Sequence, residues 1–445
     1  MQYDIAIIGG GILGTALAYR LSAQAGSEKI VVIEKEDEVA RHTSGRNTGV
    51  LHRPFYLDPE KKGKFARCAQ ESYGFWKEYA AKKSLPWREL GTLEAAFDDT
   101  QCARLQKYKQ WSVRNGMADN EVQFLSVEQV REIEPEVRCA GALLCTTDTA
   151  VDFGAFTRAL RDDAVRNGVR FMMGCEVKDV VEQEDGVEIL YRSFITPPLS
   201  FAPTPPNLPS GRGGNRIVSP PWRGGVRGGV TEGLRARYLI NCAGGAALKI
   251  AHKMGVGREY ADLNFRGEYL MVENASARLA ARNIYCVPRH SDFPFLDPHY
   301  VVRADGGVEI GPTAVPVFGS YAYRGFGAWW SKLTERPVRN KLRLCVNPEF
   351  LRLCGQEWRS ALSKRAMVAR VQKFLPDLRV EDCVARGTAG VRASLIDCNG
   401  HFVPEVVEMH TPRSLHILNF NSPGATGAPA YAAYLAQYLK TITVL

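Results

Sequence analysis

Tyr3-Asp4-Ile5-Ala6-Ile7-Ile8-Gly9-Gly10-Gly11-Ile12-Leu13-Gly14 decides the fold. The run Tyr3–Ile8 is short and apolar, which predicts a buried strand, and Ile12–Ala25 carries apolar residues at helical spacing. Between them Gly9, Gly11 and Gly14 have the spacing G-x-G-x-x-G. In a strand-to-helix turn the first glycine allows the tight turn, the second lets the backbone approach a pyrophosphate, and the third lets helix and strand pack closely. The helix N-terminus adds partial positive charge at the phosphates. Lys29–Ile33 predicts a second buried strand, and Glu34 ends it, where a carboxylate accepts hydrogen bonds from both ribose hydroxyls. This is a βαβ unit for a dinucleotide, and an acid at Glu34 disfavours a 2′-phosphate.

Further along, helical periodicity predicts helices over Glu60–Ala81, Val127–Ile133 and Phe153–Asn167, the last capped by Asp152. Val169–Val187 reads as two strands with a turn at Glu184-Asp185-Gly186, and Tyr238–Asn241 as an apolar strand before a helix that runs to Met254. Asn264–Pro312, with Tyr269–Val272 and Val308–Gly311, predicts a separate antiparallel sheet belonging to a substrate domain. Ala328–Phe374 reads as helical, with Trp329, Trp330 and Trp358 as core or interface residues. Leu415–Leu445 gives a strand, a Gly/Pro turn and a helix from about Thr426.

The stretch 196–233 differs in kind, being dominated by Pro, Gly, Ser and Arg. Pro205-Pro206…Arg212-Gly213-Gly214 recurs as Pro220-Pro221…Arg227-Gly228-Gly229, which predicts a disordered low-complexity insert, with an Arg/Gly nucleic-acid arm as the alternative. The net charge of +9 is read mainly as a solvated basic face, or as a field that attracts anionic substrates. No nucleic-acid partner is expected. Eleven cysteines, an odd number with no Cys-x-x-Cys pair, predict reduced thiols and no structural metal. The first residues lack a secretory pattern and no run is long enough to span a bilayer. The expected setting is cytoplasmic, or peripheral to the inner face of a membrane.

Three more stretches resemble the pieces by which FAD proteins of the glutathione-reductase-like class return to their cofactor. Thr43-Ser44-Gly45-Arg46-Asn47-Thr48-Gly49 offers small side chains and amides to the pyrophosphate and flavin. Tyr238-Leu239-Ile240-Asn241-Cys242-Ala243-Gly244 is a strand that ends in small residues. Ser422-Pro423-Gly424-Ala425-Thr426 precedes a terminal helix whose positive end would stabilise an anionic reduced ring.

Over nearly the whole chain except the insert, the sequence resembles the D-amino-acid-oxidase-like FAD oxidoreductases, and within them the L-2-hydroxyglutarate dehydrogenase/oxidase group. The resemblance is carried by Asn47-Thr48-Gly49-Val50-Leu51-His52, Phe265-Arg266-Gly267-Glu268-Tyr269, Asn283-Ile284-Tyr285-Cys286-Val287-Pro288 and Phe293-Pro294-Phe295-Leu296. Gly311-Pro312-Thr313-Ala314, Ala389-Gly390-Val391-Arg392-Ala393, and Asn419 with Ser422–Thr426 extend it. It implies a Rossmann-type α/β FAD-binding domain interleaved with an antiparallel-sheet α+β substrate domain. The FAD parts are 1–85, 151–255 and 385–445, and the substrate parts 86–150 and 256–384. The implied cofactor set is Gly9, Gly11, Ile12, Gly14, Glu34, Lys35, Ser44, Asn47, Thr48, Gly49, Val177, Ala243, Gly244, Gly390, Gly424, Ala425 and Thr426.

Oxidising a 2-hydroxy acid needs a carboxylate clamp, a base for the hydroxyl proton and a flavin to take hydride. Arg392 is the expected clamp, since a guanidinium grips a carboxylate through two parallel hydrogen bonds. His52 and His299 compete as the base, and Arg266 would bind a second carboxylate or steady the flavin. The chain departs from the group at Arg46, at Arg53-Pro54-Phe55-Tyr56 and at Leu296-Asp297-Pro298-His299. Charge at Arg46 and Arg53 beside the pocket would suit a dicarboxylate or a phosphorylated alcohol. Two other readings stay open, a glycerol-3-phosphate or amine oxidoreductase and a flavin relay subunit with no substrate of its own. Oxygen or a quinone would accept the electrons.

Overall fold

The computed structural model describes residues 2–24, 29–194, 231–288, 293, 297–325, 327 and 338–442. Residues 195–230, which hold nearly all of the low-complexity stretch, and residues 294–296 and 328–337, which include Trp329 and Trp330, lie outside them.

The two predicted strands form as Tyr3–Ile8 and Ile30–Ile33, the second one residue shorter than expected, and pair in parallel in a sheet covered on both faces. Arg170–Met172 joins one side of this pair, while Thr231–Asn241 and then Ser414–Leu418 extend the other, all parallel. The helices Ile12–Gln24, Gly63–Lys83, Phe153–Arg166 and Gly424–Thr441 bury one face of this sheet around Trp76, Phe156 and Tyr431. Trp76, fully buried, donates its indole N–H to Thr426 O at 2.8 Å and ties two of those helices together. Asp152 caps its helix as predicted, accepting from Ala155 N.

Two boundaries differ from the sequence expectation. The region Val169–Val187 contains three strands, because Arg170–Met172 is followed by the hairpin Cys175–Gln183 and Gly186–Ser193. Thr231–Gly233, assigned to the insert, begins the long strand Thr231–Asn241. There Arg192 faces Thr231 and Leu190 faces Gly233, so backbone pairing with a formed strand overrides a weak local preference.

Among the described residues the second large sheet has eight strands, in the order Cys383–Arg386, Leu270–Val272, Val308–Gly311, His299–Val302, Asn283–Cys286, Thr92–Ala96, Gly141–Cys145 and Val122–Leu125. It is antiparallel except at one junction, where Asn283–Cys286 runs parallel to Thr92–Ala96. The helices Pro348–Leu362 and Lys364–Val371 lie within the region read as helical. Among the described residues there are also two three-stranded sheets. Ala261–Gly267 lies between Val315–Val317 and Gly390–Ile396, and Thr149–Val151 lies between Val50–Leu51 and Trp87–Glu89. These two small sheets place the polar residues described next. All eleven cysteines are free thiols, and among the described residues no helix is long and apolar enough to cross a membrane.

Candidate active site

The glycine-rich turn opens on a cavity of about 570 Å³, inside the range of small-molecule and cofactor sites. Gly9 has φ +105°, and a Cβ there would lie 2.6 Å from Cys242 O. A Cβ on Gly14 would lie 2.1 Å from Gly9 O, so this glycine serves helix–strand packing and stands off the cavity wall. Glu34 is fixed by two backbone donors, Gly10 N at 2.7 Å and Glu36 N at 2.9 Å. A carboxylate has about four lone-pair sites, so this leaves capacity for ribose hydroxyls. Ser44 Oγ accepts from Ile12 N at 2.9 Å, tying the Thr43–Gly49 turn to the helix start. The Asn47 side chain builds that same turn, donating to Thr43 O and Ser44 O and accepting from Gly49 N.

Lys35, Thr48, Val177, Ala243, Gly244 and Gly390 also line the cavity. Gly390 leaves no room for a side chain, since its Cβ would lie 2.1 Å from Arg46 O. Gly49 and Gly424 stand behind the wall: Gly49, at φ +70°, shapes its turn, and Gly424 starts the helix whose Ala425 and Thr426 face the cavity. Cys242 lies on the wall with its thiol pushed up to about 12 by burial, which makes it a poor nucleophile at neutral pH.

At the other end His52, Tyr269, Tyr285, His299 and Arg392 converge. Pairing of Val50–Leu51 with Thr149–Val151 brings His52 beside Asp148, which is fully buried. His52 Nδ1 lies 2.9 Å from Asp148 Oδ2, and His52 N donates to Thr426 Oγ1 at 3.1 Å. Asp148 is itself held by Arg53 N at 2.6 Å and Thr92 Oγ1 at 2.8 Å. With Nδ1 donating to a carboxylate, His52 presents Nε2 as an acceptor, 3.4 Å from the Tyr285 hydroxyl. His299 stacks on Tyr285 with ring centroids 3.7 Å apart, and its buried Nδ1 has no hydrogen-bond partner among the described residues. Burial first, then the charges of His52 and Arg370, hold His299 well below its ordinary pKa. Burial likewise lowers the pKa of the Arg392 guanidinium, with Tyr269 opposing. Lys62, outside the cavity wall, is lowered by burial first and then by the charge of Arg392, with Glu405 opposing.

Asp148 was not singled out in the sequence, because no local spacing marks it; only the strand pairing makes it the partner of His52. Two expectations for arginines are corrected. Arg266 is absent from the cavity wall: its Nε pairs with Glu268 at 2.8 Å, and its Nη1 donates to Ala322 O and Gly325 O. Arg53 is buried in a structural network, donating to Glu121, Thr147 and Gln70 and stacking on Tyr73, so its charge is neutralised away from the pocket. Arg46 does line the cavity, with its guanidinium donating to Arg41 O and Ala389 O.

Glu94, buried two residues beyond Thr92, is pushed up from 4.5 to about 8, by burial first and the charge of Asp148 second. Between those values the native state keeps a proton that the unfolded chain releases. Stability contributed at low pH is therefore lost as pH rises through that window, by up to about 1.4 kcal/mol per pH unit. Glu94→Gln removes the titration, so the drop in melting temperature from pH 5 to pH 8 should shrink relative to the parent protein. An unchanged drop would place this titration elsewhere.

The FAD dependent oxidoreductase family (DAO) matches residues 4–197 and 212–438. The L-2-hydroxyglutarate dehydrogenase of Nematostella vectensis is 30% identical, covering 98% of this chain and 90% of that one. The enzyme of the same name from Homo sapiens is 29% identical, over 99% of this chain and 89% of that one. Among solved structures, the FAD-bound L-alpha-glycerophosphate oxidase of Mycoplasma pneumoniae superposes with a TM-score of 0.70 at 21% identity, covering 98% and 94%. It has the same fold.

Proposed function

The chain belongs to the DAO family of FAD-dependent oxidoreductases, and we propose that it oxidises a 2-hydroxy acid of the L-2-hydroxyglutarate type to the 2-oxo acid. FAD is the cofactor, and the residues present fit it. Glu34 suits the ribose, the helix start at Ile12 suits the pyrophosphate, and the small residues at Ala243, Gly244 and Gly390 leave room along the cavity. The N-terminus of Gly424–Thr441 supplies partial positive charge at the far end.

One observation carries the substrate class: a histidine base backed by a buried carboxylate and a desolvated guanidinium face the same end of the cavity. In this reading Arg392 grips the substrate carboxylate through two parallel N–H···O bonds. His52 Nε2 takes the hydroxyl proton as the C=O bond forms, and Asp148 stabilises the resulting imidazolium. When bound, FAD supplies the acceptor for the electron pair of the broken C–H bond. Oxygen or a quinone receives the electrons afterwards, and the setting is cytoplasmic or peripheral to a membrane face. The reading retains the division into FAD-binding parts (1–85, 151–255, 385–445) and substrate parts (86–150, 256–384).

The test is anaerobic mixing of the yellow protein with L-2-hydroxyglutarate, glycerol 3-phosphate and amino acids in separate samples. Rapid bleaching is expected with the hydroxy acid. Bleaching by glycerol 3-phosphate or an amino acid, with none by any hydroxy acid, would overturn the proposed substrate class.

A further inference from the structure

The wall facing Glu34 is not built from the dinucleotide-binding sheet alone. The segment Phe318–Gly325 leaves the strand Val315–Val317 and reaches the loop that follows Glu34. Ser320 Oγ donates to Gly245 O at 2.7 Å and lies 3.2 Å from Asn264 Oδ1. Lys35 Nζ sits 3.2 Å over the Tyr321 ring, and the Tyr321 and His42 rings are 4.5 Å apart between centroids. His42 bridges the two segments, with Nδ1 2.5 Å from the Tyr323 hydroxyl and Nε2 2.8 Å from Glu36 Oε1. The Arg46 guanidinium covers the Tyr323 ring at 4.3 Å. The segment is thus fastened along Lys35–Arg46. Its base is packed in the same way, with Ala322 in an apolar cluster with Val315, Val317 and Val391.

Ser320 and Tyr321 line the same cavity as Glu34 and Lys35, yet Tyr321 is 41% exposed. A carboxylate at the end of the second strand marks the ribose of the AMP half. A partly exposed aromatic ring beside that point suits a planar base, which stacking would cover.

We propose that Phe318–Gly325 is a strap over the adenosine half of bound FAD, with Tyr321 presenting its ring to the adenosine and His42 fastening the strap, so that FAD leaves only after the strap lifts. This goes beyond the substrate reading and rests only on FAD as cofactor. The strap is continuous with the sheet that carries Arg392, because Val315–Val317 pairs with Ala261–Gly267, which pairs with Gly390–Ile396.

The experiment follows release of FAD from the loaded protein after dilution, by the return of flavin fluorescence, with no substrate present. Tyr321→Ala and His42→Ala should each release FAD about tenfold faster or more, a change that corresponds to about 1.4 kcal/mol. Tyr321→Phe, which keeps the ring, should stay within about twofold of the parent rate. Should Tyr321→Ala fail to fold, as judged by the melting of its apoprotein, Tyr321→Leu, which keeps apolar bulk but removes the aromatic ring, takes its place. Parent-like release from both Tyr321→Ala and His42→Ala overturns the strap, and acceleration by His42→Ala alone overturns the role of the Tyr321 ring. A protein that takes up no FAD would contradict the cofactor itself, an outcome distinct from unchanged release.

Discussion

Arg392→Ala lowers kcat/KM for the hydroxy acid by about 30-fold to several thousand-fold, the kinetic equivalent of about 2 to 5 kcal/mol for truncating one partner of a buried charge pair. The expectation follows from where the guanidinium stands. Arg392 belongs to the strand Gly390–Ile396, lines the polar end of the cavity, and is desolvated enough for its pKa to fall. A cation in such a place gains most when an anion arrives to replace the lost water. Arg392→Lys keeps the charge but loses the planar two-point grip, so its activity should lie between parent and alanine. Steady-state kinetics on samples matched for bound FAD make the measurement. Parent-like kcat/KM in Arg392→Ala would remove Arg392 from substrate binding.

How much of this was legible in the sequence depends on how local each signal is. Gly9, Gly11, Gly14 and Glu34 are fixed by spacing within one βαβ unit, and they fall where that spacing places them. The contrast between Arg392 and Arg266 was not legible, because it depends on register. Phe265 pairs with Arg392 and Arg266 pairs with Val391, so the two arginines point to opposite faces of one small sheet. One residue of offset sends Arg392 to the cavity and Arg266 to Glu268 and the carbonyls of the strap. Arg53 misled for a related reason: next to His52 in sequence, it turns its side chain to Glu121 while its amide holds Asp148. Asp148 itself is invisible to any local pattern. The strands Thr92–Ala96, Val122–Leu125 and Gly141–Cys145 are too short for periodicity to identify, yet they complete the second large sheet.

His52→Ala should lower kcat by about a hundredfold to ten-thousandfold, the usual range for losing a positioned general base, while His299→Asn should cost less than about tenfold. Both histidines line the cavity, and no local sequence signal ranks them. Their surroundings do. A base must carry the abstracted proton through the transition state, so its cationic form needs stabilising. His52 has a buried carboxylate 2.9 Å from Nδ1, which orients the ring and stabilises the imidazolium. His299 has the opposite environment: its Nδ1 lacks an acceptor among the described residues, and burial with the charges of His52 and Arg370 holds it neutral. Asp148→Asn then separates the chemistry from the packing. The amide keeps the size of the carboxylate but can bind His52 as a donor, favouring the wrong tautomer, so kcat should fall by at least about a hundredfold with KM little changed. Rapid-mixing measurement of flavin reduction in the three variants, each checked for full FAD content, decides the assignment. A large loss in His299→Asn together with a small one in His52→Ala would transfer the base to His299 and leave Asp148 a purely structural acid.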